Sequence, residues 1–162
     1  VSVYCALPID DVTPDQLRTG IGGNDYWTLA ENYDVDEDLV DPSLELLRIV
    51  PDTDGFQLHY RPKGDRQLSI HCWKAPDRVK DEIEEVLESI KGDCSEIATR
   101  IVEHMKNVRA VVGIEMGFSQ LEDMGVVFAY EVARWFGQYR GGLIKGDDDN
   151  WSMIDGGGYV QL

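Results

Sequence analysis

The sequence predicts an α+β domain: a mainly antiparallel sheet with a central hairpin, and three to four helices packed largely on one face. Three observations lead there. Apolar residues alternate with polar ones through Phe56, Leu58 and Tyr60, and again through Leu68, Ile70 and Cys72. Helical spacing governs Val79, Ile83, Val86, Leu87 and Ile90, then Ile97, Ile101 and Met105, then Leu121, Met124, Phe128, Val132 and Trp135. Between the last two helices Val111-Val112-Gly113-Ile114 hardly alternates, as expected of a central strand.

In chain order, Val1–Pro8 reads as a first strand. Thr13-Pro14-Asp15-Gln16 is a capping-box start for a short helix that ends near Gly20. Leu46–Val50 is a short strand candidate. Keeping the apolar sets of 56–72 on one face pairs Leu58 with Ile70 and Tyr60 with Leu68, across a three-residue loop at 63–65. In that register His59 and His71 share a face as diagonal neighbours. No third ligand accompanies them, so no metal site is expected. Lys91-Gly92 stops the first long helix and Asp93-Cys94-Ser95-Glu96 caps the next. Ser119-Gln120-Leu121-Glu122 starts the last helix, which ends at Gly141-Gly142 ahead of a strand at Leu143-Ile144. Gly156-Gly157-Gly158 predicts a flexible tail from about residue 156. The chain, 1–162, reads as one domain without repeat or linker.

Composition narrows the function. Cys5, Cys72 and Cys94 are too few and too irregularly spaced for a disulfide framework or zinc site, which fits a reducing, cytoplasmic setting. No apolar run approaches the ~20 residues that span a bilayer, and the first residues lack a secretory signal's basic flank. The formal net charge of −16 opposes nucleic acid and anionic membrane as partners. That charge is regional. Residues 1–60 hold 13 Asp and Glu against only Arg18 and Arg48, whereas residues 61–140 hold 14 acidic and 12 basic residues.

The densest acidic run is Asp34-Val35-Asp36-Glu37-Asp38-Leu39-Val40-Asp41-Pro42-Ser43-Leu44-Glu45. Asp34, Asp36, Asp38 and Glu45 match positions 1, 3, 5 and 12 of a calcium-binding EF-hand loop. However, Leu39 stands where that loop needs glycine and Asp41 where it is apolar. A calcium module is therefore an alternative only. Two readings of the run remain, a solvated acidic loop and contact with a basic partner through Asp34, Asp36, Glu37, Asp38 and Asp41, and the second is the one the inhibitor expectation uses. Asp147, Asp148 and Asp149 with Trp151 make a second candidate patch, an aromatic anchor beside a negative rim. Trp27 and Tyr33 are further candidate anchors.

Signatures of catalysis are missing: Gly-x-Ser-x-Gly, the phosphate-binding P-loop and His-Glu-x-x-His are all absent. His71 and Cys72 are strand neighbours pointing to opposite faces, so they cannot act as base and nucleophile together. The expectation is a non-enzyme without cofactor or metal. The rival is an enzyme or small-molecule binder with a cleft between sheet and last helix, using Glu115, Glu122 or Glu131.

The segment Met124–Phe136, then Gly141-Gly142-Leu143-Ile144, the Asp run and Trp151, resembles the ending of small acidic bacterial immunity proteins. These belong to polymorphic-toxin systems, contact-dependent or type VI secretion among them. The opening Tyr4-Cys5-Ala6-Leu7-Pro8 before a capped helix is similar in style. The resemblance implies an inhibitor that occludes a cognate toxin domain, a basic one if the toxin acts on nucleic acid or nucleotides.

Overall fold

In the computed structural model each strand of the central sheet sends alternate side chains to opposite faces, and both faces are covered. The structure describes residues 1–63, 65–146 and 150–162. Among the described residues are eight antiparallel strands: β1 (Ser2–Cys5), β2 (Arg48–Asp52), β3 (Gly55–His59), β4 (Leu68–Trp73), β5 (Ala110–Glu115), β6 (Gly142–Lys145), β7 (Trp151–Asp155) and β8 (Gly158–Gln161). They form one sheet in the order β2-β3-β4-β5-β1-β6-β7-β8. The α-helices described with them are α1 (Pro14–Ile21), α2 (Tyr26–Asn32), α3 (Val40–Leu46), α4 (Pro76–Ser89), α5 (Glu96–Met105) and α6 (Met124–Arg140). The class is α+β, with more strands and helices than the sequence led us to expect.

The main core takes Val3 and Cys5 of β1, Leu68 and Ile70 of β4, Val112 and Ile114 of β5, and the inner sides of α1, α2, α3 and α6. The opposite core takes the alternate residues Tyr4, Val111, Leu143 and Trp151, covered by Val79 and Val86 of α4 with Ile101 and Met105 of α5. Helices therefore cover both faces, and the expectation of helices largely on one face is corrected. The central strands could show this only through their lack of alternation, because a strand buried on both sides needs apolar residues at every position.

Helix α6 is buried almost all round, since the sheet lies on one side and α1 and α2 on the other. It starts later than its sequence suggests. Ser119-Gln120 forms a 3-10 turn, Phe118–Gln120, and Asp123 caps the helix proper by accepting from the Gly125 N–H at 2.7 Å. The reason is that Gln120, fully buried, donates to the Tyr60 hydroxyl and to Arg66 O, while Arg61 forms an ion pair with Asp123. That network also moves the hairpin register. Tyr60 and Arg61 leave the strand to reach it, so Leu58 pairs with Leu68 and Phe56 with Ile70. The shift is of two residues and keeps the same faces, so side-chain periodicity cannot distinguish the two registers. Part of the expected tight loop, Gly64, lies outside the described residues.

Gly141, at φ 59°, ends α6 in the left-handed conformation that glycine adopts without steric cost. No tail follows residue 156: the chain turns through Gly156-Gly157 and adds β8 as the exposed edge strand.

Candidate functional site

Residues 31–46 meet the core at only a few points. Val35 and Val40 are buried and Ser43 nearly so, and these anchors turn the residues between them outward. Asp34 adopts φ 56°, a left-handed turn that Asp tolerates better than most residues, and ends the segment leaving α2. Asp36 then caps a 3-10 turn, Glu37–Leu39, by accepting from the Asp38 N–H at 3.0 Å, and α3 follows. Glu31, Asp34, Asp36, Glu37, Asp38, Asp41 and Glu45 are consequently all exposed, or nearly so.

Among the described residues, none of them is neutralised by the protein's own cations. The ion pairs there are made by Arg, Lys and His side chains of residues 61–140. Their partners lie in the same stretch or at Asp10 and Asp11. Apolar side chains are exposed in the same stretch of chain: Trp27 is 47% exposed, Leu39 38% and Leu46 42%. An exposed Trp together with exposed carboxylates is the composition of an interface anchor with a charged rim.

Trp151 lies elsewhere. It is 9% exposed in the second core, 5.5 Å from the Tyr4 ring, with the Lys145 ammonium 6.0 Å from its own ring. It anchors the fold and does not present a surface. Asp147, Asp148 and Asp149 lie outside the described residues. The EF-hand-like run folds as a 3-10 turn and helix. Among the described residues no group of three or more His, Cys, Asp or Glu is placed to hold a metal ion.

The shifted register separates the two histidines. His71 pairs with Gly55 and Gly113 and stacks on Trp73, whereas His59 pairs with Arg48 at the far strand. The three carboxylates considered for an enzyme site are not brought together. Glu115 sits on the sheet face opposite α6 and forms an ion pair with Arg66, and Glu122 is exposed ahead of α6. Glu131, only 4% exposed, is held inside.

Glu131 lies at the floor of a second feature. Its carboxylate accepts from Arg134 Nε at 3.0 and 3.1 Å and from Arg134 Nη2 at 2.8 Å, and also from Asn24 Nδ2. Above this pair a cleft of about 670 Å³ opens between α2, α6 and the β7–β8 turn, walled by Leu29, Asn32, Tyr33 and Tyr159. Burial, with Glu131 nearby, pushes the Tyr33 hydroxyl up to about 12, so it stays protonated and able to donate. The sequence carries one trace of this cleft: Glu131 and Arg134, three residues apart, interrupt the apolar middle of the helix. Asn24 and Tyr159 carried no such signal.

No protein-family model matches the chain, and neither a curated protein nor a solved structure does. Among the described residues no helix is long and apolar enough to cross a membrane.

Proposed function

We propose that this chain is an immunity-type inhibitor, a binding protein that docks on a cationic toxin domain and blocks it without chemistry of its own. The observation that carries the reading is the exposed run of carboxylates on α2, the 3-10 turn and α3, unneutralised among the described residues, with Trp27 exposed on the same α2. A basic partner, such as a nuclease or nucleotide-acting toxin domain, meets complementary charge there. Steering of this kind raises association rates roughly 10- to 1,000-fold at low salt. Trp27, with Leu39 and Leu46, would supply the desolvated contacts that slow dissociation. The site would lie in the cytoplasm, where an incoming toxin must be met.

The test searches the genes beside this one for a toxin domain and mixes that domain with the intact chain. The expected outcome is a stoichiometric complex in which toxin activity is lost. Reversing Asp36, Asp38 and Asp41 to Lys lowers the association rate constant about tenfold or more and flattens its dependence on salt. Trp27→Ala raises the dissociation rate instead. Association kinetics unchanged by the triple reversal would remove the docking face from the proposal, and a toxin left fully active by excess protein would remove the inhibitor.

A further inference from the structure

The cleft above Glu131 has a chemistry that the docking face does not use. Its floor is electrically closed, because Glu131 and Arg134 satisfy each other and Asn24 Nδ2 takes a further acceptor position on Glu131. Arg134 also reaches Gln138 Oε1 at 3.3 Å. An anion entering the cleft would have to shed its water without gaining a free opposite charge, which costs more than the site returns. Apart from the exposed Asp25 carboxylate, which accepts from the Thr28 N–H and hydroxyl, the groups with capacity left are neutral. Asn24 keeps its carbonyl oxygen, and the Asn32 amide and the Tyr33 hydroxyl make no hydrogen bond among the described residues.

The aromatic walls are held in place. Tyr130 stacks on Tyr33 with centroids 5.3 Å apart and meets Tyr159 edge-on at 6.0 Å, while the Tyr159 hydroxyl donates to Tyr130 O at 2.5 Å. The walls are therefore pre-formed, and ordering them costs a ligand little. Carboxamides that offer donor and acceptor in one plane match the edge of a nucleobase, and tyrosine rings match its flat face. The volume falls within the range of small-molecule sites.

We infer that the cleft bounded by Asn24, Asn32, Tyr33, Glu131, Arg134 and Tyr159 binds a planar, hydrogen-bonding heterocycle without negative charge, of the nucleobase or nucleoside class. The inference does not depend on the docking reading. A phosphate on the ligand would weaken binding, because the floor offers it no free cation and the surrounding surface is strongly acidic.

The experiment titrates the intact chain with adenosine, guanosine, cytidine and uridine, followed by calorimetry and by ligand-observed NMR. At least one nucleoside binds saturably, and its 5′-monophosphate binds more weakly. Asn32→Ala, at an exposed and unbonded position, weakens binding about tenfold, as does Tyr33→Leu, whereas Tyr33→Phe weakens it less because the ring stack survives. Reversing Asp36 and Asp38 leaves nucleoside binding unchanged, which separates this site from the docking face. The inference is overturned if none of the four nucleosides saturates the folded chain at about 10 mM. It is equally overturned by affinities that Asn32→Ala leaves unchanged, or by a monophosphate that binds more tightly than its nucleoside.

Discussion

Glu131 and Arg134 illustrate how much a single contact can commit. Both side chains are largely removed from water, at 5% and 16% exposure, and each is the other's compensation for lost hydration. Arg134→Met leaves a buried carboxylate with only Asn24 to satisfy it, and should lower the unfolding free energy by about 3–5 kcal/mol in denaturant titration. Combining Glu131→Gln with Arg134→Met should cost clearly less, because no uncompensated charge remains. Buried acids of higher pKa set a limit at the alkaline end. Burial pushes the Tyr4 hydroxyl from 10.0 up to about 12, with Glu82 and Glu85 adding to the effect, and pushes the Cys5 thiol from 9.0 up to about 12. A raised folded value means that the native state favours the protonated form. Their contribution is therefore complete below about pH 9 and is lost as pH rises through about 12. Stability followed by chemical denaturation should be flat from about pH 7 to 9 in this respect and then fall steadily.

At the scale of elements, local signals placed most of the secondary structure. The capping box at Thr13 forms as its residue types predict, with Gln16 N–H donating to Thr13 Oγ1 at 3.2 Å and Gln16 Oε1 accepting from the Thr13 N–H at 2.9 Å. The two helices at 76–89 and 96–105 also lie where apolar spacing put them. Elements were misplaced where a polar side chain was claimed by a distant partner. Ser119, the expected cap, accepts from Arg61 instead and Gln120 joins a buried network, so α6 begins at Met124. How α1 docks on α6 was hidden as well. A Cβ at Gly20 would stand 2.1 Å from Trp135 Nε1, so the indole fills the space that glycine leaves. Gly20→Ala should force the ring away and cost about 1–3 kcal/mol, read as a lower denaturant midpoint with little change in m.

For the whole molecule the governing quantity is charge. A net −16 in a chain of this size repels itself, and the repulsion is concentrated in the first 60 residues, where Arg18 and Arg48 are the only basic side chains. Salt screens that repulsion, with a Debye length falling from about 30 Å at 0.01 M to about 10 Å at 0.1 M. Raising NaCl over that range should raise the thermal midpoint by a few degrees. Reversing Asp36, Asp38 and Asp41 to Lys should shrink that increment, since the same substitutions relieve the field. A salt response unaffected by the triple reversal would mean that the strain lies elsewhere in the molecule.

Local chemistry was sufficient for what depends on neighbours in the chain. The α+β class, most helix positions, the inward and outward faces of the hairpin strands, and the solvent exposure of the 34–41 carboxylates all follow from residue spacing and the cost of burying charge. Tertiary structure alone decided the strand register, the covering of both sheet faces, the burial of Trp151 and the cleft at Glu131. Asn24 meets Glu131 across 107 positions of sequence, and no local periodicity carries a contact of that range. It exists because α2 buries its apolar side against α6, Tyr26 on Phe128, and Asn24 just ahead of α2 is then brought within bonding distance of Glu131.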